Sequence, residues 1–468
     1  MIKSLSPLAA LLLLGACAVL EPRYHRPDAP VPDAWPQGPA YENSVNAPGE
    51  AALPEWGAFY ADPKLNALIA RSLEENRDLR IAAANIERAR SLYRVQRAQR
   101  VPAVDGVASG SITGVDAPGG EIIERQYSAG VGITAFELDF FGRVRGLSRA
   151  ALQQYLATAD ARDSAQISLI SEVASAYLVY AGDLELLRIA QDTLTAQQRS
   201  VDLTQQRFDA GASSQLDLYR ARTIAENARA DVARFTTLTA QDENLLALLV
   251  GAPIPQELRP TTIADVEFGV DELPPGLPSE VLLTRPDIRQ SEHLLRAANA
   301  NIGAARAAMF PSVSITGFTG TADSRFENLF NGAAGAWSFT PQLSLPIFDG
   351  GARLSNLGVA GADRDIAVAQ YERSIQAAFR EVADALAERG AIQEEVAARQ
   401  ALADAAQGAF SLSNARYVEG IDNYFILLDS QRELYSAQQS LVAARVARAI
   451  NFVTLYKSLG GGVTQPTR

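Results

Sequence analysis

The chain repeats itself at one fixed distance. Asn76–Arg80 (NRDLR) is answered 209 residues later by Arg285–Arg289 (RPDIR), and Arg100–Pro102 (RVP) by Met309–Pro311 (MFP). Gln206–Gly211 (QRFDAG) is answered by Ala415–Gly420 (ARYVEG), and Val250–Gly251 by Leu459–Gly460, again at 209. Only the middle drifts, Phe141 meeting Phe348 at 207. Whatever one half folds into, the other half repeats, so a solenoid of short units is excluded.

Each half then imposes a severe length constraint. The runs Gly142–Phe208 and Gly351–Tyr417 carry no proline over about 65 residues, and a helix of that length reaches about 100 Å at about 1.5 Å per residue. Gly211 and Gly420 are placed to end these runs as cap glycines. A second helix of about 40 residues returns to Gly251-Ala252-Pro253 or to Gly460-Gly461-Gly462. Within the first run, Ile167, Ile170, Ala174, Tyr177, Ala181 and Leu184 follow alternating spacings of three and four, a coiled-coil seam. So long a helix needs lateral neighbours along its whole length. Upstream in each half, a helical stretch of about 35 residues ends at Pro102 or Pro311. Two strand-like segments follow, around the loops Val115–Glu121 (VDAPGGE) and Thr321–Gly332 (TADSRFENLFNG).

The strands alternate with a period of two. Trp337, Phe339, Leu343, Leu345 and Ile347 stand against Ser338, Thr340, Gln342 and Ser344. Tyr127, Ala129, Val131 and Ile133 stand against Ser128, Gly130, Gly132 and Thr134, and Val313 and Ile315 against Ser312, Ser314 and Thr316. One apolar face and one small, polar face suit strands between lipid and a watery lumen. A half-buried soluble sheet shows the same alternation, but the segment lengths favour tilted spanning strands. Four strands cannot close a barrel, and an open edge is not tolerated in lipid. If they span a membrane, several copies must share one barrel.

Charge and composition narrow the function. A net charge of -12 gives no basic face for nucleic acid. No uninterrupted run of 18 apolar residues follows the start, which argues against a membrane-spanning helix. Lys3, the apolar Leu8–Leu14 and LGAC (Leu14–Cys17) read as an export signal and resemble the lipobox of bacterial lipoproteins. That resemblance makes Cys17 the acylated first residue after a signal peptide at 1–16, and Ala18 beside it implies sorting to the outer membrane. Cys17 is the only cysteine, so an intrachain disulfide and a thiolate metal site are both excluded. No metal, cofactor or catalytic residue is expected. His25 lies in a proline-rich lead, His293 reads as a surface or interface residue of a helix, Gly460–Gly462 precede no strand-to-helix unit, and Glu388–Glu395 read as a solvated helix face.

Five stretches, spread over most of the mature chain, carry a family resemblance. They are Cys17–Trp35 (CAVLEPRYHRPDAPVPDAW), Trp56–Arg90 (WGAFYADPKLNALIARSLEENRDLRIAAANIERAR), Arg285–Gly317 (RPDIRQSEHLLRAANANIGAARAAMFPSVSITG), Tyr417–Ser440 (YVEGIDNYFILLDSQRELYSAQQS) and Asn451–Gly462 (NFVTLYKSLGGG). The chain resembles the TolC-like outer-membrane efflux proteins, in the lipoprotein branch that serves resistance-nodulation-division pumps. It departs in having one Trp in WGAFYADP, where the family often has two, and in its short tail. The resemblance implies a mainly α fold with a membrane β-barrel portion. Duplicated long-helix hairpins would form a periplasmic α-barrel, continuous with a trimeric twelve-stranded β-barrel to which each chain gives four strands. It implies a lipid-anchored wrapping segment at 17–60, structural repeats at 61–251 and 285–460, an equatorial linker at 252–284 and a tail at 461–468. The implied partners are two further copies in a homotrimer, outer-membrane lipid, a periplasmic membrane-fusion adaptor and an inner-membrane resistance-nodulation-division pump.

The expected functional positions are geometric. The turn residues Gly211, Ala212, Ser213 and Ser214, and Gly420, Ile421, Asp422 and Asn423, lie where the family meets its adaptor, although the glycines also serve as caps. Phe425 and Asp429 follow at a spacing of four on one helical face, and their equivalents are Leu216 and Arg220. The resemblance implies that Phe425 and Asp429 point into the bore and narrow a periplasmic gate, with Arg220 or Arg222 available to counter the carboxylates. A type I protein-secretion conduit and a non-pore periplasmic coiled-coil scaffold lipoprotein are the alternative readings.

Overall fold

The computed structural model describes residues 20–41, 53–269, 279–330 and 335–461. Cys17 and its signal segment lie outside the described residues, as does the tail beyond Gly461. In chain order the elements are α1 (Trp56–Phe59), α2 (Pro63–Glu75), α3 (Arg77–Ala98), β1 (Asp105–Ala117), β2 (Gly120–Leu138), α4 (Arg143–Asp209), α5 (Gln215–Val250), α6 (Pro286–Ala307), β3 (Ser312–Asp323), β4 (Gly335–Ser344), α7 (Ala352–Val418) and α8 (Tyr424–Ser458). The long helices α4 and α7 are 67 residues each, and their ends, like those of α3 and α6, stand 209 residues apart. The duplication read from the sequence is therefore one of structure.

One expectation needs correcting. The helical stretch upstream of the strands is broken in both halves, at Asn76 between α2 and α3, and at Arg285 between a 3-10 turn (Ser279–Thr284) and α6. Pro286 disfavours helical backbone at the residue before it, whereas Asn76 is held extended by its own side chain. That amide accepts from Leu79 N at 2.9 Å and donates to Leu249 O at 2.8 Å. Arg285, its equivalent, donates to Ser458 O at 2.5 Å, and Leu249 and Ser458 are themselves 209 apart. Each break thus satisfies an orphan carbonyl in the last turn of its own return helix. Arg285 is buried and also pairs with Asp287 and Glu381 at 2.7 and 2.9 Å.

The chain divides into two compact units, each drawn from both halves: residues 1–28, 84–160 and 289–373 in the first, and 29–83, 161–288 and 374–468 in the second. The first holds an antiparallel sheet in the order β1-β2-β3-β4. Opposed pairs put Ile112, Ile123, Val131, Phe339, Trp337 and Leu343 on one face, and Ser109, Ser128, Thr316, Thr340, Gln342 and Ser344 on the other. The apolar face is bare: Trp337 is 80% exposed and Leu343 67%. Among the described residues of the chain, β1 and β4 are unpaired on their outer sides.

Two details of the sheet were not foreseen. From Tyr127 to Ile133 apolar residues occupy odd positions, but Phe136 and Leu138 are even, and a β-bulge between Ile133 and Phe136 absorbs the slip. Ala135 sits in the bulge at φ 49, its N–H donating to Thr316 Oγ1 at 3.2 Å. Strand β4 also stops at Ser344, so Leu345 and Ile347 lie beyond it, because Pro346 brings no N–H to a ladder.

The lead segment is clamped along α6 in the same unit. Going up the segment and down the helix, Arg306 donates to Leu20 O, Asn299 to Pro22 O at 2.8 Å, and Arg296 lies over the Tyr24 ring at 5.0 Å. Gly303 leaves room for this path, since a Cβ there would stand 2.8 Å from Glu21 Cα. The clamp ends at Glu292, which accepts from Arg26 through both oxygens, from the Tyr24 hydroxyl and from Arg296. Burial pushes the Glu292 carboxyl upward, and the Arg26 and Arg296 guanidiniums outweigh it, leaving its pKa below the usual carboxylate range. His293 is a half-buried residue of a helix interface, where Nδ1 meets Gln153 Oε1 at 2.6 Å and Nε2 faces Asp160 at 3.5 Å.

The second unit is helical. Val173, Ala174, Tyr177, Leu178 and Ala181 of α4 are buried, as the three-four seam requires. One stretch of α4 is long and apolar enough to cross a membrane, but 67% of it is buried within the protein, which marks it as core. Phe59 of α1 stacks on Tyr456 at 3.9 Å, and Phe268 and Phe452 complete the aromatic group.

Candidate functional site at the hairpin tips

Both long hairpins, α4–α5 and α7–α8, turn in the second unit, and the two turns are built alike. Gly211 and Gly420 take φ of 72° and 74°, a left-handed conformation open to glycine at little steric cost. Ala212 N returns to Arg207 O at 2.7 Å, and Ile421 N to Arg416 O at 2.9 Å, closing each helix with its last carbonyls satisfied. Ser214 and Asp217 form a reciprocal capping box at the start of α5. Asn423 caps α8 by accepting from Ile426 N at 3.2 Å. All eight turn residues expected at the tips are therefore found there.

Side chains then make the two turns different. Arg416 grips Asp422 through two bonds of 2.6 and 3.0 Å. This bidentate contact holds the Asp422 carboxyl below, and the Arg416 guanidinium above, their ordinary pKa values. The equivalent Arg207 instead lies over the Tyr417 ring at 4.7 Å, a contact from one hairpin to the other. Beneath the turns Ala221, Tyr417, Tyr424, Leu427 and Leu428 form one buried cluster. Tyr424 hydrogen-bonds Ser200 at 2.8 Å, and burial raises its pKa. The hairpins share a core at their tips.

That core fixes which residues face outward. With Leu427 and Leu428 turned in, Phe425 and Asp429 fall on the opposite side of α8, and both are exposed. Leu216 and Arg220 are exposed on α5 in the same way, at 56% for Leu216 against 59% for Phe425. The spacing of four puts each pair on one face of its helix, and in this chain that face is exposed. Within one chain the two candidate arginines meet other groups. The Arg220 guanidinium lies 5.8 Å from the centre of the Phe425 ring, and Arg222 donates to Gln205 at 2.9 Å. Among the described residues Asp429 has no ion-pair partner in its own chain.

Sequence reasoning missed the Arg416–Asp422 and Arg207–Tyr417 contacts. The signal for them was the arginine that both QRFDAG and ARYVEG carry at the same place. The tips hold exposed apolar and charged groups in a fixed geometry, with no cluster of His, Cys, Asp or Glu that could hold a metal among the described residues. Such a surface can dock a partner or narrow an opening.

Comparison with known proteins decides the family. The model of the outer membrane efflux protein family matches residues 68–252 and again residues 277–461, two matches that begin 209 residues apart. The chain belongs to the outer membrane efflux protein family. It is 46% identical over 461 residues to the solvent efflux pump outer membrane protein SrpC of Pseudomonas putida, covering 97% of each chain. It is 41% identical to outer membrane protein OprJ of Pseudomonas aeruginosa, over 98% of this chain and 95% of that one. Among solved structures it is similar to the open state of the MtrE outer membrane channel of Neisseria gonorrhoeae, with a TM-score of 0.86 and 36% identity over 96% of this chain and 100% of that one. This family member therefore has the TolC-like channel fold, mainly helical with a β portion. The expected fold class is borne out.

Proposed function

We propose that the chain is one protomer of a trimeric outer-membrane efflux duct, lipid-anchored at Cys17, through which small toxic compounds leave passively. The observation that carries this reading is the sheet, four strands with a bare apolar face and two unpaired edges. Such a sheet is stable in a bilayer only when copies close it into a barrel. Three copies give twelve strands. The efflux names of the relatives favour small apolar cargo over a polypeptide, and the built sheet disfavours a pore-free scaffold.

In this reading the chain catalyses nothing. An inner-membrane resistance-nodulation-division pump supplies the energy, and a periplasmic adaptor meets residues 211–214 and 420–423. Phe425 and Asp429 face the bore, three rings forming an apolar constriction with three carboxylates one helical turn further on. Like charges gathered on an axis disfavour their own ionised forms, so a closed mouth needs a cation nearby, and Arg222 of a neighbouring hairpin is the available one, Arg220 being held over Phe425. The mouth opens when hairpins shift between two packings, because each tip is rigid through its own caps.

Single-channel recording in planar bilayers tests the proposal. The wild-type protein is expected to conduct weakly, and the Asp429→Ala, Arg220→Ala double variant several-fold more. A double variant that stays at the wild-type conductance removes the gate assignment, and a protein that never conducts removes the duct.

A further inference from the structure

The two hairpins of the helical unit differ sharply in charge at one pair of equivalent places. A cavity of about 460 Å³ lies against α7 and α8 where the segment bearing Val266 and Phe268 passes over them. Arg389 of α7 and Arg445 and Arg448 of α8 line it, its apolar wall includes Val266, Phe268 and Phe452, and no lining residue is a carboxylate. Arg389 lies over the Phe452 ring at 5.2 Å. Arg445 is held from the side by Gln400 at 2.7 Å, with Glu185 at 3.8 Å. Arg448 is exposed and meets no carboxylate among the described residues.

At the same distance of 209 residues, the first hairpin carries Tyr180, Thr236 and Thr239 in place of these three arginines. All three are neutral and use their hydroxyls within their own hairpin: Tyr180 donates to Glu243, Thr236 to Val232 O and Thr239 to Phe235 O. Helix packing therefore does not require cations here, since the same fold position is filled without them. A chain of net charge -12 nonetheless gathers three guanidiniums around one cavity. Guanidinium forks match carboxylate, sulfonate and phosphate groups, and aromatic walls in a cavity of this size suit the apolar body of a small molecule.

We propose that this cleft binds a small organic anion, one acid group on an apolar body. Arg448 meets the acid group, and Phe268 and Phe452 pack against the body. The site is separate from the hairpin tips, and its occupancy does not depend on the gate.

Isothermal titration of 2-naphthalenesulfonate into the detergent-solubilised full-length protein, corrected for detergent alone, tests the proposal. Saturable binding is expected, weakened about fivefold by Arg448→Gln, as for the loss of one exposed charge contact, and further by Arg448→Glu. The neutral 2-naphthalenemethanol should bind far more weakly. Because Arg448 is exposed and has no ion-pair partner among the described residues, both variants should melt with the wild type. Three results would each overturn the assignment: no saturable binding by wild type, equal affinity for the alcohol, or unchanged affinity in Arg448→Glu.

Discussion

Replacing Arg220 by Ala separates the contact seen at the hairpin tips from the salt bridge with Asp429 that the resemblance suggests. In the structure Arg220 lies over Phe425 at 5.8 Å, and Asp429 stands apart. An exposed cation–π contact is worth about 0.5–1 kcal/mol, and phenylalanine lies at the weak end. At about 0.5 kcal/mol per chain, three copies acting on one opening give about 1.5 kcal/mol. At about 1.4 kcal/mol per tenfold, that raises the open-to-closed ratio about tenfold. Open probability in planar bilayers reads the effect directly. A double-mutant cycle identifies the partner: Arg220→Ala should have little effect once Phe425 is Leu, and should keep its effect once Asp429 is Asn. The opposite pattern, with the effect surviving Phe425→Leu and vanishing in Asp429→Asn, refutes the reasoning and restores the salt bridge as the latch.

Three further outcomes concern the N-terminal region. Glu292→Gln removes the charge that holds Arg26, Tyr24 and Arg296. Since Arg26 is itself half exposed, it can rehydrate, and the loss is held to about 2 kcal/mol. Trypsin cleavage after the exposed Arg23 in the otherwise folded protein should then rise about 30-fold. Because the Glu292 pKa is depressed on folding, its contribution is full above the unfolded carboxylate value of about 4.3 and is lost as pH falls through the folded one. Pepsin cleavage near Tyr24 should accordingly accelerate below about pH 4 in the wild type, and much less so in Glu292→Gln. Cys17→Ser should abolish incorporation of labelled palmitate, and label retained by that variant would exclude Cys17 as the anchor.

The long-range plan of the fold was legible because a fixed offset is indifferent to local detail. NRDLR and RPDIR located two equivalent helix breaks without revealing them as breaks, since the apolar spacing runs on through Asn76 and only the amide's bonds to Leu79 and Leu249 stop the helix. The bulge was visible in principle. Apolar residues change parity between Ile133 and Phe136, which only an inserted residue can reconcile with one bare face. The partner of Arg220 was not legible. Spacing gives the face of a helix but not its rotation against the next hairpin, and that rotation is set here by Tyr417, Tyr424 and Leu428 in the shared cluster.

Where the two repeats agree and where they differ follows a physical rule. Positions that close backbone bonds keep their geometry even when the residue changes. Gly211 and Gly420 share one φ region, Ser214 and Asn423 both cap, and Asn76 and Arg285 both reach the last turn of their return helix. Exposed positions beside the tips differ in side chain: Leu216 answers Phe425, and Arg220 answers Asp429 with the opposite charge. An exposed substitution on a helix changes stability by about 0.5 kcal/mol or less, so folding places almost no demand on these sites. Duplication supplies two copies of a scaffold whose inward face is fixed by packing and whose outward face is free to diverge. The asymmetry at the hairpin tips is therefore one that folding does not require, which is what the proposed gate needs of these positions.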